Sequence, residues 1–90
     1  MNMIKVENMY SAKGNKVANQ FSITTTEGTY FQSYKSIIAF MSNDGSVLLD
    51  ETYWDYSHTT RKYRNKFLEQ TSTEIKSKVK NGIFKLTNLN

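Results

Sequence analysis

The hydrophobic and polar positions of this chain follow one period up to Trp54 and another after it. From Val17 to Thr25, Val17, Phe21 and Ile23 alternate with Ala18, Gln20, Ser22 and Thr24, which is the two-residue period of a half-buried strand. Glu27-Gly28 supplies a turn, and the aromatic and β-branched run Thr29 to Tyr34 reads as the second arm of a hairpin. The run from Ile37 to Met41 is apolar on both faces, predicting a central strand covered on both sides or one bent through a small barrel, with a bulge near residues 33–36. Asn43-Asp44-Gly45 tolerates the positive φ of a tight turn, after which Val47 to Tyr53 returns as another strand.

Beyond Trp54 the spacing becomes helical. Thr60, Tyr63, Phe67 and Leu68 form one stripe of a helix near residues 58–70, with Asp55 or Ser57 placed to cap its first amides. Thr71 and Glu74 have capping-box spacing and open a second helix near 73–81, in which Ile75 and Val79 share the buried side and Gly82 ends the run. Residues 83–87 resume a strand-like composition. The order predicts a single α+β domain over residues 1–90: an antiparallel sheet of four to five strands across residues 3–54, packed with two C-terminal helices, with a last strand pairing at the sheet edge. A small β-barrel with helices is the alternative. Ninety residues leave room for one hydrophobic core only.

Charge divides the chain unevenly. Residues 1–57 carry four lysines against six carboxylates, whereas residues 58–90 carry eight Lys or Arg against Glu69 and Glu74. The net charge of +4 therefore belongs to the C-terminal third, a field that attracts nucleic acid or an acidic protein surface and also simply keeps a small protein soluble. The chain has no cysteine, which removes disulfides and thiolate metal sites and suits the cytoplasm. The first residues lack the uninterrupted apolar segment of a signal peptide, and no run approaches the length of a membrane span.

Catalysis finds little to work with: one histidine, three aspartates and five glutamates. Asp55, Ser57 and His58 are neighbours in sequence, which at a helix start suits capping better than convergence on one proton path. Asp50 and Glu51 fall on opposite faces of a strand, so no compact cation site is expected, and no cofactor-binding motif is present. The expectation is a protein that is not an enzyme and acts by binding.

Tyr30, Phe31, Tyr34, Tyr53, Trp54, Tyr56 and Tyr63, seven of the twelve aromatic residues, sit around the middle of the chain. Strand alternation sends Tyr30 and Tyr34 opposite Phe31, and Tyr53 opposite Trp54, so part of this group reaches the surface. Interface hot spots favour Tyr, Trp and Arg, which makes Tyr53, Trp54, Tyr56, Arg61 and Arg64 the candidate protein-binding set. Within it, Trp54 and Arg64 also suit a structural role, Arg64 paired with a carboxylate such as Asp50 or Asp55. The alternative is a nucleic-acid surface in which Arg61, Lys62, Lys66, Lys76, Lys78 and Lys80 contact phosphates while tyrosines stack bases. The acidic segment Asp50 to Asp55 offers a further possibility, imitation of phosphates.

The segments Asn15–Phe21, Gly28–Phe40, Tyr53–Leu68 and Lys85–Asn90 resemble a family of small uncharacterised proteins encoded by bacteriophages and prophages. The specific part is Ser33-Tyr34 with Ile38-Ala39, followed by Tyr56-Ser57 with Thr59-Thr60. The resemblance implies a viral source and a role in the cytoplasm of an infected bacterium. From the habits of such genes it implies occupation of a host protein, including a defence nuclease such as a CRISPR effector, and it carries no mechanism. Oligomeric state is left open.

Overall fold

A computed structural model describes residues 4–90, so the part of the expected first strand at residue 3 lies outside the described residues. In chain order the elements are β1 (Lys5–Tyr10), β2 (Lys16–Thr24), β3 (Gly28–Ser33), β4 (Ser36–Ser42), β5 (Val47–Asp50), α1 (His58–Leu68), α2 (Ser72–Lys80) and β6 (Lys85–Thr87). The strands form one sheet in the order β1-β2-β3-β4-β5-β6. The first five are antiparallel neighbours, and β6 joins β5 in parallel after the two helices have carried the chain back. The α+β class holds: five strands fall within the span expected for four to five, and β6 is the last strand expected at the sheet edge. The sheet is open, since β1 and β6 are its two edges among the described residues, and the barrel alternative falls with that.

Register assigns the faces. Ser22, Phe31, Ala39 and Leu49 align across the strands and look towards the helices, while Ile23, Tyr30, Phe40 and Leu48 align on the other face. Phe31, Ile38, Ala39 and Leu49 meet Tyr63, Leu68, Ile75 and Phe84 in the core, and the Phe67 ring stacks on Phe31 at 5.8 Å. On the helix-free face Tyr30 packs on Phe40 with ring centroids 4.5 Å apart.

Three local expectations are corrected. Asn19 adopts a left-handed conformation (φ 65) in the middle of β2, so Val17 packs on the core whereas Phe21 points to the opposite face, and Gln20 replaces it beneath the helices. The bulge expected near residues 33–36 sits instead where Phe31 and Gln32 face Ala39 and Ile37, leaving Ile38 as the extra residue. The strand from Val47 stops at Asp50 rather than Tyr53, and residues 51–55 form a turn. Gly28 is required where it stands, because a Cβ there would lie 2.3 Å from the Met41 carbonyl oxygen.

Both helix starts follow their local signals. Ser57 caps α1, its hydroxyl accepting from the Thr60 amide, and Thr71 and Glu74 close the capping box of α2 reciprocally. No helix of the described residues is long and apolar enough to cross a membrane.

Candidate binding cleft

The end of β5 shapes the first wall of a cleft. Asp50 is buried, and its carboxylate accepts from the Thr52 and Tyr53 amides at 3.0 and 2.9 Å and from the Leu89 amide at 2.8 Å. Burial alone would raise this carboxyl, but the amide hydrogen bonds outweigh it and hold the group below the ordinary aspartate value. Tyr53 is thereby turned out of the sheet direction, and its ring meets Tyr56 edge-on at 5.7 Å. Tyr53 and Trp54 consequently do not oppose each other across a strand.

The β3–β4 hairpin supplies the facing wall. Ser33 pairs with Ser36, leaving Tyr34-Lys35 as a two-residue loop. Such loops need positive φ at the first position, which Tyr34 provides (φ 57) without the freedom of glycine. The Tyr34 amide donates to the carbonyl of the other left-handed residue on this wall, Asn19, at 2.7 Å. Beneath them the Ser33 and Thr60 hydroxyls share a hydrogen bond of 2.9 Å, and Ser57 donates to Thr60 at 3.0 Å, tying the hairpin to the start of α1.

Between these walls lies an open cleft of about 490 Å³. Its floor and sides come from Asn19, Ser33, Ser36, Ile38 and Thr60, and its rim from Tyr34, Lys35, Tyr53 and Tyr56. Tyr34 is 53% and Tyr56 70% exposed, so two aromatic rings stand in solvent at its mouth. Left-handed backbone at a concave site lined by convergent polar groups and exposed aromatics makes this cleft the candidate binding site.

Of the expected protein-binding set, Tyr53 and Tyr56 line this cleft. Arg64 does not reach any surface: it is 0% exposed, donating to the Trp54 carbonyl at 2.7 Å, to Asp55 at 3.2 Å, to Asn65 at 2.9 Å and to Ser72 at 3.2 Å. It therefore cannot contact a partner, and its role is the structural pairing with Asp55. Trp54 is half-buried against the core, its ring 5.6 Å from the Arg64 guanidinium. Arg61 stays partly exposed beside Asp55 at 3.9 Å.

The basic set is dispersed rather than gathered around the tyrosines. Lys62 lies over the Tyr63 ring, Lys66 donates to the Tyr10 carbonyl, Lys78 lies over Phe84, and Lys76 and Lys80 are exposed on α2. None of them lines the cleft, where the cation is Lys35. Phosphate imitation by Asp50 to Asp55 gains little support, because Asp50 is buried on backbone amides and Asp55 lies between two arginines, leaving Glu51 as the exposed carboxylate of the segment. Nor do Asp55, Ser57 and His58 converge: Asp55 faces arginines and Ser57 caps the helix.

Sequence reasoning missed Tyr34, Lys35, Asn19, Ser33, Ser36, Ile38 and Thr60 as one site. The signal that could have found them was present, since Ser33-Tyr34, Ile38 and Tyr56 with Thr60 belong to the specific part of the resemblance, and they meet here from 27 residues apart.

Fold and cleft together define a small open-sheet α+β domain with an aromatic-rimmed concave site. Residues 4–82 match the family of unknown function DUF8033, and the chain belongs to that family. The matched span contains every residue that lines the cleft. No curated protein and no solved structure matches the chain.

Proposed function

We propose that the protein is a non-catalytic binding module that grips a partner protein through the cleft rimmed by Tyr34, Tyr53 and Tyr56. The observation that carries this reading is the pair of exposed tyrosines at the mouth of a preformed cleft, with one wall held in two left-handed backbone positions. Tyrosine gives large contact area with few rotatable bonds, and side-chain hydroxyls on the floor suit an amphipathic side chain inserted from a partner. The partner is a protein of the host cell, which the module inhibits or modulates. Its setting is the cytoplasm of a bacterium infected by the phage that encodes it, and a defence nuclease is the leading candidate. This source and setting rest on the resemblance carried by the segments Gly28–Phe40 and Tyr53–Leu68.

The geometry gives less support to a nucleic-acid surface, since the aromatic rim and the lysines of α2 occupy different parts of the molecule. Capture from bacterial lysate on the immobilised protein, with and without nuclease treatment, separates the two readings. A band that survives nuclease is the expected result. Recovery that disappears with nuclease would reverse the order of the readings, and binding to DNA or RNA would then weaken with salt with a slope of about −0.7 to −0.9 per phosphate contact.

A further inference from the structure

A free sheet edge exposes unpaired amides and carbonyls, and a protein normally blunts it with charge, bulges or a covering element. Among the described residues β1 pairs with β2 alone, and no helix, loop or strand is hydrogen-bonded along its outer side between Ile4 and Asn8. Two large apolar side chains stand out on this edge, Ile4 at 66% and Val6 at 60% exposure. They share the helix-free face, where Val6 heads the row that continues through Ile23, Tyr30, Phe40 and Leu48. On the other face of the strand Lys5 and Glu7 flank Val6, and their side chains, both exposed, lie 3.7 Å apart.

We infer that β1 is a self-association edge whose occupant is the β1 strand of a second copy of this chain, laid antiparallel about a twofold axis at Val6. Charge selects that register. With Val6 opposite Val6, Lys5 faces the second copy's Glu7 and Glu7 faces its Lys5, so both cross-strand pairs are of opposite sign. A slip of two residues in one direction sets Lys5 against Lys5, and in the other sets Glu7 against Glu7. A slip of one residue exchanges the faces and breaks the apolar row. In the matched register that row runs unbroken across the seam of a twelve-stranded sheet. The pairing ends where β1 departs from regular register between Asn8 and Tyr10 and where Lys66 occupies the Tyr10 carbonyl. Five residues from each copy make a small interface, so association is weak and depends on concentration. No cleft residue lies on β1, which leaves this inference independent of the proposed function.

Sedimentation velocity of the intact chain from about 5 to 500 µM tests it, in the range where small interfaces assemble. The expected result is a monomer–dimer equilibrium that Lys5→Glu or Glu7→Lys weakens about tenfold by opposing like charges. The double variant K5E/E7K, which exchanges the two charges and restores opposite signs in the same register, returns the wild-type dimer. Circular dichroism of each variant checks that the fold is intact. A wild type that stays monomeric throughout, or a double variant as weak as the single ones, overturns the inference.

Discussion

Among the described residues three other than glycine hold positive φ, and each does so for a different reason: Asn19 reverses the faces of β2, Glu69 ends α1, and Tyr34 closes the hairpin at the cleft. Asparagine accepts this region readily, whereas tyrosine and glutamate are strained in it by about 1 kcal/mol relative to glycine. Tyr34→Gly and Glu69→Gly are both expected to stabilise the fold by about 0.5–1 kcal/mol in urea denaturation. Only Tyr34→Gly is expected to weaken partner capture, because only Tyr34 stands at the cleft. A Glu69→Gly variant that lost capture to the same degree would detach the cleft from the function. Asp50 carries a second residue-scale consequence. Its folded pKa is depressed, so its contribution is complete above the ordinary aspartate value of about 3.9 and is lost as pH falls through the lower folded value. Asp50→Asn should cost about 1–3 kcal/mol near neutral pH, with the gap to wild type closing below about pH 3.9. A gap that stayed constant down to about pH 2, below the ordinary range of carboxylates, would show that the ionised form is not what holds the turn.

At the scale of elements, Arg64 is the joint between α1, the turn after β5 and the start of α2, since its donors end on Trp54, Asp55, Asn65 and Ser72. Removing the guanidinium leaves those acceptors facing a cavity, so Arg64→Ala is expected to cost about 3 kcal/mol. Hydrogen exchange should locate the loss first in α2, where Ile75 is the buried residue. Uniform loosening of the whole domain would instead assign Arg64 to the global core. The helices were legible in the sequence because their signals are local: Ser57, Thr71 and Glu74 sit within one turn of the amides they satisfy. The early end of β5 was not legible, because residues 47–53 keep a strand-like composition and the turn depends on the Asp50 carboxylate accepting from the amides of Thr52, Tyr53 and the distant Leu89. Nor was the reversal at Asn19, where one left-handed residue breaks a pattern that reads as uninterrupted. In the cleft, Tyr53 and Tyr56 were legible as surface aromatics, whereas Thr60 meeting Ser33 is a tertiary event that no window of sequence contains.

For the molecule as a whole, the net charge of +4 lies in the C-terminal third of the sequence, but folding separates that charge from the aromatic rim. Arg61 is drawn to Asp55 and Lys66 to a backbone carbonyl, while Lys76 and Lys80 remain exposed on α2. The molecule thus presents two distinct surfaces, a hydroxyl-lined cleft with a tyrosine rim and a basic helix, and the proposed recognition belongs to the first. The direct comparison pairs a cleft variant, Tyr34→Ala with Tyr56→Ala, with a basic-face variant, Lys76→Glu with Lys80→Glu, each checked for an intact fold. Capture of the nuclease-resistant partner from host lysate is then quantified against wild type. The cleft variant is expected to retain less than about one tenth of the captured partner, as loss of two hot-spot tyrosines implies, while the basic-face variant stays within about twofold of wild type. Full capture by the cleft variant together with loss in the basic-face variant would contradict recognition through the cleft.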